Sequence, residues 1–540
     1  MSIDRNERRR FLKAAGAGVA GSAVFALGEN AFAQGSREAQ GSASSDLVYP
    51  VTAFGAKGDG ETLDTGAVNR AINAASQAGG GIVFFPAGKY LCYSIHLKSN
   101  ITLQFTTGAT IIAAPGPEPG EQGHYDLAES NAPWEDYQDF GHNHWHNSLI
   151  WGEKLENVAI IGSGLIWGKG LSRGWRTGPQ AEQPGAGNKA IALKNCRNVL
   201  LRDFSILHGG HFGILATGID NFTIDNLTID TNRDGMDIDC CRNVRVSNCT
   251  VNSPWDDGIC LKSSYALGYS RATELVTITN CFVTGCFDEG SVIDGSFEKF
   301  PETERVPRTG RIKFGTESNG GYKNIAISNC VFEGCHGLAI ESVDGAIIED
   351  VSVTNLTMHD VYASPIFIRL GSRMRGPKGV PVGVIRHVNI SDVVCENVEK
   401  SRICSIISGI PGHPIEDLRI SNVIVRHQGG GTASDAALQL PEKESAYPEP
   451  TMFGTTPAQG LYIRHVDGMI VSDVKIESAT PDQRPVILLD DVQGADFRFI
   501  KFPAVESGKS FSLTNARDFT VFRSKPVPDT ELQSVEKKEL

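Results

Sequence analysis

Short runs of alternating apolar and polar residues recur along most of the chain, and each run ends near an Asn, Asp or Gly. From residue 157 onward, such runs read NVAIIGSGLIWG, NVLLRDFSIL, NFTIDNLTID, NVRVSNCTV, LVTITNCFV, NIAISNCVF, DVSVTNLTM, HVNISDVVC and DLRISNVIV. A period of two, with frequent β-branched residues, predicts β-strands and excludes a helical repeat. The equivalent Asn residues lie 22, 32, 49 and 26 residues apart, at Asn226, Asn248, Asn280, Asn329 and Asn355.

These spacings predict stacked coils of parallel strands. One coil of a parallel β-helix takes about 20 to 30 residues, so the larger gaps imply loop insertions or an additional degenerate coil. We therefore predict an all-β fold, a single-stranded right-handed parallel β-helix over residues 48–523. Residues 438–459 contain four prolines and read as a surface insertion, and the charged residues 524–540 read as a disordered tail.

The start of the predicted domain has the pattern of a short helix. Asp64 can cap a helix that runs from Thr65 to Ala75, and the run Gly79-Gly80-Gly81 ends it. This helix would cover the open first coil, whose unpaired backbone would otherwise offer an edge to other chains.

The first 33 residues resemble a twin-arginine export signal. Arg8, Arg9 and Arg10 precede Phe-Leu-Lys and an apolar, small-residue run over 14–27, and the Ala-Phe-Ala of 31–33 offers a cleavage site. The alternative, a membrane anchor, would need roughly 20 apolar residues. We expect cleavage after Ala33, a linker over 34–47, no stable membrane insertion, and a mature protein that is periplasmic or secreted.

Composition narrows the class of protein. The chain has 540 residues, 40% of them hydrophobic, a net charge of −13 and a pI near 5.5, so we expect no nucleic-acid partner. Its twelve cysteines include three that follow Asn in repeated phrases, which favours buried side chains over a disulfide framework. Because no CxxC pair occurs, we predict no structural zinc.

Two copies of the repeat place an acid before Gly, Asp234 in RDGMDID and Asp256-Asp257 in WDDGICLKS. Asp234 and Asp257 lie 23 residues apart, about one coil, so they should stand side by side. Clustered carboxylates raise one another's pKa, which yields a protonated acid beside an ionised one, as glycoside hydrolysis requires. The alternative is that these are ordinary turn dipeptides.

With these motifs the chain resembles the family 28 glycoside hydrolases, the polygalacturonase group. Residues 51–114 resemble the N-terminal part of pectin-active β-helix proteins, and Asn232-Arg233-Asp234 matches the family's Asn-Thr-Asp motif with Arg for Thr. The resemblance implies that Asp256 is the general acid and that Asp234 and Asp257 activate water. It also implies inversion of configuration, with acid and base roughly 6.5 to 9.5 Å apart, and neither cofactor nor metal.

The chain departs from that family in its substrate-binding motifs. Where the family has Gly-His-Gly, the residues predicted to be in phase are Asp288, Glu289 and Gly290. The family's Arg-Ile-Lys motif occurs literally as Arg311-Ile312-Lys313. By phase, however, the coil that should carry its cations has Ala339 and Glu341 instead, which would assign Arg311 and Lys313 to the preceding coil. Both alignments stay open.

The candidate substrate-binding residues are Lys262, Glu289, Arg311, Lys313, His211 and Glu341. We predict a secreted, cofactor-independent glycosidase whose partner is a pectic polysaccharide or oligosaccharide. A rhamnogalacturonan hydrolase or another exo-acting pectic glycosidase is an alternative. Further alternatives are a polysaccharide lyase, which would use a basic residue and usually Ca²⁺, and a β-helix that binds polysaccharide without catalysis.

Overall fold

The computed structural model describes residues 47–116, 124–172, 183–288, 291–398, 400, 402–503 and 509–540. In this part of the chain all but the last strand pair in parallel with strands one coil away, and the strands stack into three faces of a right-handed β-helix. The predicted fold class is therefore confirmed.

The shorter strands divide among the three faces. The first face contains Ile95–His96, Ile150–Glu153, Lys189–Lys194, Phe212–Thr217, Asp234–Asp239, Ile259–Ser263, Ile312–Ser318, Leu338–Ser342, Ile366–Leu370 and Ser405–Ser408. The second contains Val48–Pro50, Gly81–Phe85, Ile101–Phe105, Glu156–Ile161, Arg197–Arg202, Asp220–Asp225, Arg242–Ser247 and Thr273–Thr279. The third contains Asp59–Leu63, Gly88–Cys92, Ala109–Ala113, Leu165–Trp167, Ser205–Leu207, Thr228–Asp230, Thr250–Asn252 and Phe282–Thr284.

Later strands are longer and turn the corner between faces without a break. They are Tyr322–Glu333, Ile347–Val361, Val384–Asn397, Ile415–His427, Leu461–Ser478, Ile487–Arg498, Phe511–Phe522 and Thr530–Glu539. The short helices, α and 3-10, are Val51–Phe54, Thr65–Gln77, Glu135–Tyr137, Phe140–Asn143, Ser291–Asp294, Ala433–Ala436 and Pro450–Phe453. No helix within the described ranges is long and apolar enough to cross a membrane.

Alternation along each strand sends one set of side chains inward and the other outward. On the first face, Ile214, Met236, Ile259 and Ile312 stack in register inside the coils, and all four are fully buried. Their neighbours in sequence point outward, and several of these are polar. All twelve cysteines are buried, as expected for those in the repeated Asn-Cys phrases, and all twelve are free thiols.

Asn residues stack at the start of the second-face strands. We name Asn100, Asn157, Asn198, Asn221 and Asn243 the amide ladder, because the side-chain NH₂ of each of the last four donates to the side-chain oxygen of the Asn one coil before. All five have φ between 55° and 62°, a left-handed conformation that Asn tolerates better than most residues. The ladder amides thus pair with one another rather than with the backbone of the turns.

The N-terminal helix is present and runs over Thr65–Gln77, two residues beyond the predicted end. Its side of Val68, Ala71 and Ile72 is buried against the first coil. The predicted role of Asp64 is wrong, since its side chain makes no capping hydrogen bond. Its two oxygens accept instead from the backbone N–H groups of Lys57 and Gly58, because the preceding loop folds back over the helix start.

The C-terminal residues are ordered, contrary to the expectation of a disordered tail. Thr530–Glu539 pairs antiparallel to Phe511–Phe522, with Leu513 opposite Lys538 and Phe519 opposite Leu532. This antiparallel strand covers the last parallel edge, so the charged sequence serves as a cap. The predicted insertion belongs to a connection without strands over residues 428–460.

Candidate active site

The three predicted aspartates meet at the edge of the first face. Asp234 begins the strand Asp234–Asp239, and Asp256 and Asp257 end the turn before Ile259–Ser263. One oxygen of each carboxylate lies within 4.8 Å of one oxygen of each of the others. The backbone N–H of Asp257 also donates to Asp234 Oδ1, at 3.2 Å, and to Asp256 Oδ1, at 3.1 Å.

This spacing is shorter than the 6.5 to 9.5 Å that the resemblance implied, so that expectation is wrong for the nearest oxygens. Gly235, which follows Asp234, and Gly213, one coil earlier, allow adjacent coils to approach closely. A Cβ on Gly235 would lie 2.4 Å from the carbonyl oxygen of Gly258, and a Cβ on Gly213 would lie 2.5 Å from that of Gly235. Gly is therefore required here by the close stacking of adjacent coils.

Arg311 and Lys313 both contact Asp257. The Arg311 Nε donates to Asp257 Oδ1 at 2.8 Å, and Lys313 Nζ lies 3.1 Å from Asp257 Oδ2. Both cations are buried. Their spacing of two residues predicts that they point to the same side of a strand, and they do, but they hold a catalytic candidate rather than an open patch.

The register decides which coil they occupy. Ile312 pairs with Ile259, and Lys313 pairs with Cys260 on one side and Ala339 on the other. Arg311 and Lys313 thus lie one coil after Asp257, and Glu341 lies in the next coil. Of the two alignments, the structure shows the one in which Ala339 and Glu341 stand where the family's cations were expected.

Asp288 was predicted to be in phase with Asp256 and Asp257, and this prediction is wrong. The backbone N–H of Gly258 donates to the carbonyl of Arg311 at 2.9 Å, so Arg311 occupies that phase. Asp288 lies in an insertion between the strands Phe282–Thr284 and Ile312–Ser318. The residues of this insertion lengthen the sequence between two consecutive coils, so residue spacing no longer predicts the position within the coil. Glu289 lies outside the described residues.

The surroundings give the three aspartates different proton affinities. Burial raises the pKa of Asp234 well above its ordinary range, and the charges of Asp256 and Asp237 add to this. Burial also raises the pKa of Asp256, although Arg233 opposes the effect. Burial disfavours the charged form of Asp257 as well, but Lys313, Arg311 and Lys262 hold its pKa well below the usual value.

Lys262 belongs to a second cluster of buried charged side chains, close to the three aspartates. Its Nζ lies 3.0 Å from Glu317 Oε2 and 3.8 Å from Asp237 Oδ2. His142 Nε2 lies 3.1 Å from the same Asp237 oxygen. Burial opposes the charge on Lys262, but Asp237 and Glu317 raise its pKa well above the ordinary value. A substrate group would have to compete with these carboxylates for the lysine.

Glu341 is fully buried beside the two cations. Its oxygens lie 4.0 Å from an Arg311 nitrogen and 3.7 Å from Lys313 Nζ, and neither oxygen has a hydrogen-bond partner among the described residues. Burial raises its pKa to about 8, against the attraction of Lys313 and Arg311.

The connection 428–460, which we name the strap, reaches this cluster from far along the chain. Its Glu449 is paired with Arg311, and its Tyr447 hydroxyl lies 3.4 Å from Lys313 Nζ. Two buried arginines of the first face hold the strap in place. Arg369 donates to the carbonyls of residues 442 and 443, and Arg464 to those of 440 and 441.

His211 is buried and lies one coil before Asp234. Its ring is 4.3 Å from that of Phe212, and a Cβ on Gly141 would lie 3.2 Å from it. The ring therefore packs against Phe212 and close to Gly141, and its contact with a sugar stays a prediction.

Several site residues were missed from the sequence, namely His142, Asp237, Glu317, Tyr447 and Glu449. Asp237 could have been predicted, because alternation along the strand that begins at Asp234 places it at an outward position. Glu317 likewise follows Lys313 on its strand. His142, Tyr447 and Glu449 lie in connections outside the repeat, so the sequence does not show which strand residues they contact.

Two family models match parts of the chain. The model described as "Rhamnogalacturonase A/epimerase, pectate lyase-like" matches residues 48–151, and "Right handed beta helix region" matches residues 181–304. A relative from Vitis vinifera described as a probable polygalacturonase is 26% identical over 434 residues, which cover 75% of this chain and 80% of the relative.

Two solved structures share the fold. The exopolygalacturonase of Thermotoga maritima has a TM-score of 0.56 at 18% identity and covers 92% of this chain and 95% of its own. The family 28 exopolygalacturonase of Yersinia enterocolitica has a TM-score of 0.57 at 17% identity and covers 89% of this chain and 79% of its own. The resemblance is thereby confirmed: the chain has polygalacturonase-like relatives over most of its length, with pectate-lyase-like and β-helix segments.

Proposed function

We propose that this protein is a glycoside hydrolase that cleaves glycosidic bonds in pectic polysaccharide. The observation that carries the proposal is the cluster of Asp234, Asp256 and Asp257, whose pKa values are driven in different directions within 4.8 Å. Glycoside hydrolysis needs one carboxyl that gives a proton and another that receives one. The distant polygalacturonase relative supports the substrate class.

Asp256 suits the role of general acid. It is the most exposed of the three, with 24% of its side chain accessible, and its raised pKa retains the proton that the leaving oxygen needs. The fixed negative charge of Asp257 is one cause of that rise.

Asp234 and Asp257 form the accepting pair for the proton of the attacking water. Asp257 supplies a permanent charge, and Asp234, once ionised, is the stronger base because its pKa is higher. The close spacing gives no support for inversion, which stays a prediction. Proton NMR of the first anomer released from a short substrate would decide between inversion and retention.

The function is tested by incubating the purified protein with homogalacturonan and with rhamnogalacturonan. We expect new reducing ends without an ultraviolet-absorbing unsaturated product. Asp256→Asn should lower the rate about 10²- to 10⁴-fold, the range typical of general acid catalysis. Asp203→Asn is the matched control, since Asp203 accepts a hydrogen bond from Asn226 on an exposed corner. Unsaturated products, or full activity in Asp256→Asn, would contradict the proposal.

A Ca²⁺-dependent lyase is the second candidate, because three clustered carboxylates also form a candidate cation site. Arg311 and Lys313 already engage both oxygens of Asp257, and Arg233 engages Asp256 at 2.7 Å. These cations fill the role that a metal would have, so we expect turnover to survive chelation by EDTA. Loss of activity on chelation, restored by Ca²⁺, would favour the lyase.

We also propose export through the twin-arginine pathway. The basis is the sequence over 1–33, which lies outside the described residues. Fractionation of bacterial cells that express the full chain should find the mature protein in the periplasm or medium. Replacing Arg8, Arg9 and Arg10 by Lys should retain it inside the cell.

A further inference from the structure

The two cations of the site carry no surplus charge toward a substrate. Arg311 and Lys313 face three carboxylates, those of Asp257, Glu341 and Glu449. With Glu341 protonated the group of five is neutral, and with Glu341 ionised it has one net negative charge. Both cations are also buried, so a substrate carboxylate would reach neither without displacing one of these acids.

Two side chains of the strap that contact these cations are partly accessible, and one is acidic while the other is aromatic. Glu449 has 23% of its side chain exposed, and Tyr447 is 53% exposed. Arg233 is 30% exposed, but its guanidinium is paired with Asp256 at 2.7 Å. A carboxylate placed about 4 Å from Glu449 would be repelled by roughly 1 to 4 kcal/mol, between the values for water and for a protein surface.

A neutral sugar ring meets the same side chains favourably. Its C–H face can pack on the exposed ring of Tyr447. Because the ring has no charge, Glu449 does not repel it, although Glu449 Oε1 is paired with Arg311 and Oε2 is buried. The strap that carries both residues is held by Arg369 and Arg464, so this wall is in place before substrate arrives.

We propose that the subsite walled by Tyr447 and Glu449 takes a neutral sugar and discriminates against a uronate. The inference rests on the proposed function and narrows its substrate, to a pectic chain in which a neutral hexose, a deoxyhexose or an esterified uronate lies next to the cleaved bond. This specificity arises because the positive charges of Arg311 and Lys313 are already paired with carboxylates of the protein and are not free to bind a substrate carboxylate.

A matched pair of substrates tests the inference. One is an oligogalacturonide, and the other is the same oligomer with every carboxyl reduced to CH₂OH, which keeps length and linkage. We expect kcat/KM to be about 10-fold higher on the neutral oligomer than on the anionic one, equivalent to ~1.4 kcal/mol. This difference in kcat/KM should become smaller at high salt, because salt screens the repulsion. A preference for the anionic oligomer would overturn the inference.

Variants locate the source of the preference. Glu449→Gln should raise kcat/KM on the anionic oligomer several-fold, whereas Glu444→Gln, an exposed acid of the same strap, should leave the preference unchanged. Tyr447→Ala should raise KM for the neutral oligomer with less effect on kcat. If Glu449→Gln and Glu444→Gln behave alike, the assignment to Glu449 is wrong.

Calorimetry separates this inference from the proposed function. Absence of turnover on every pectic oligomer would contradict the hydrolase, while binding of the two matched oligomers to the wild-type protein still measures the preference. Tighter binding of the neutral oligomer supports the subsite, and equal or weaker binding overturns it.

Discussion

Two columns of polar side chains run along the same coils and reach electroneutrality in different ways. In the amide ladder the three inner Asn residues both donate and accept, as Asn221 does with Asn198 and Asn243, so identical neutral groups satisfy one another. At the candidate active site the stacked groups are Asp234 and Asp257, which can only accept when ionised. The β-helix places equivalent residues side by side, and the stability of each column depends on whether its residue type can pair with itself.

The carboxylate column is stabilised by cations from the next coils. Arg311 and Lys313 bind Asp257 from one coil further on, and Lys262 binds Glu317 and Asp237 below. Removing a cation should therefore be costly at the site, while the ladder needs none. Substitutions in the two columns test this difference.

The greatest loss is expected from Arg311→Met. It leaves the buried carboxylate of Asp257 without its hydrogen-bond donor and Glu449 without its partner, which should cost about 3 to 5 kcal/mol of unfolding free energy and most of the activity. Urea denaturation measures the loss. Arg197→Met, which breaks an exposed Arg197–Glu156 pair at 2.6 Å on the second face, should cost less than about 1 kcal/mol.

A second substitution separates charge from packing. Adding Asp257→Asn to Arg311→Met should recover part of the stability, because the uncompensated charge is removed, but should not recover activity. If Arg311→Met costs no more than Arg197→Met, the cations do not hold the column together.

An intermediate effect is expected from Glu341→Gln, and it depends on pH. The pKa of Glu341 is raised to about 8 in the folded state by burial, against an ordinary value of 4.5. Between these values the unfolded chain has released the proton while the folded chain retains it, so raising the pH favours unfolding. The contribution of Glu341 is thus fully present below pH 4.5 and is lost as pH rises through 8.

Glutamine stays neutral at every pH, so the variant's melting temperature should fall less than that of the wild type between about pH 5 and 8. The control is Glu349→Gln. Lys323 and Arg386 hold the pKa of Glu349 below its ordinary value on an exposed face, so its stabilisation is present above the unfolded pKa and is lost as pH falls. Parallel melting curves for wild type and Glu341→Gln would show that Glu341 does not carry the proton.

The contrast between the columns also explains which features the sequence could predict. The period of two and the recurrent Asn or Asp predict the coils, because those residues are needed locally at left-handed corners such as Asn221 and Asn329. The pairing of Asp234 with Asp257 follows from one uninterrupted coil. Asp288 was placed in the wrong phase because the insertion before Ile312–Ser318 adds residues without adding a coil.

The position of the strap could not be predicted, for a different reason. Glu449 meets Arg311 across 138 residues, and Tyr447 meets Lys313 across 134. Neither residue belongs to a repeat, so no register links them to the site. Their position depends on Arg369 and Arg464, which donate to backbone carbonyls of the strap. The alternation along the strands predicts that these arginines point outward, but it does not predict what they bind.

The mildest of the substitutions converts part of the ladder into a carboxylate column without cations. In Asn198→Asp with Asn221→Asp, two acids replace an amide pair whose atoms lie 2.9 Å apart. At about pH 7 the double variant should lose roughly 0.2 to 1 kcal/mol more than the sum of the two single variants, the range for like charges on neighbouring strands. Because both positions are exposed, about 1 M salt should remove most of the excess. At about pH 3 the carboxyls are largely protonated and can again donate, so the excess loss of stability should vanish.

The prediction is contradicted if the stability loss of the double variant at neutral pH equals the sum of the two single losses. Solvent alone would then neutralise stacked carboxylates at this spacing. The cations around Asp257 would be explained by the burial of that carboxylate rather than by stacking.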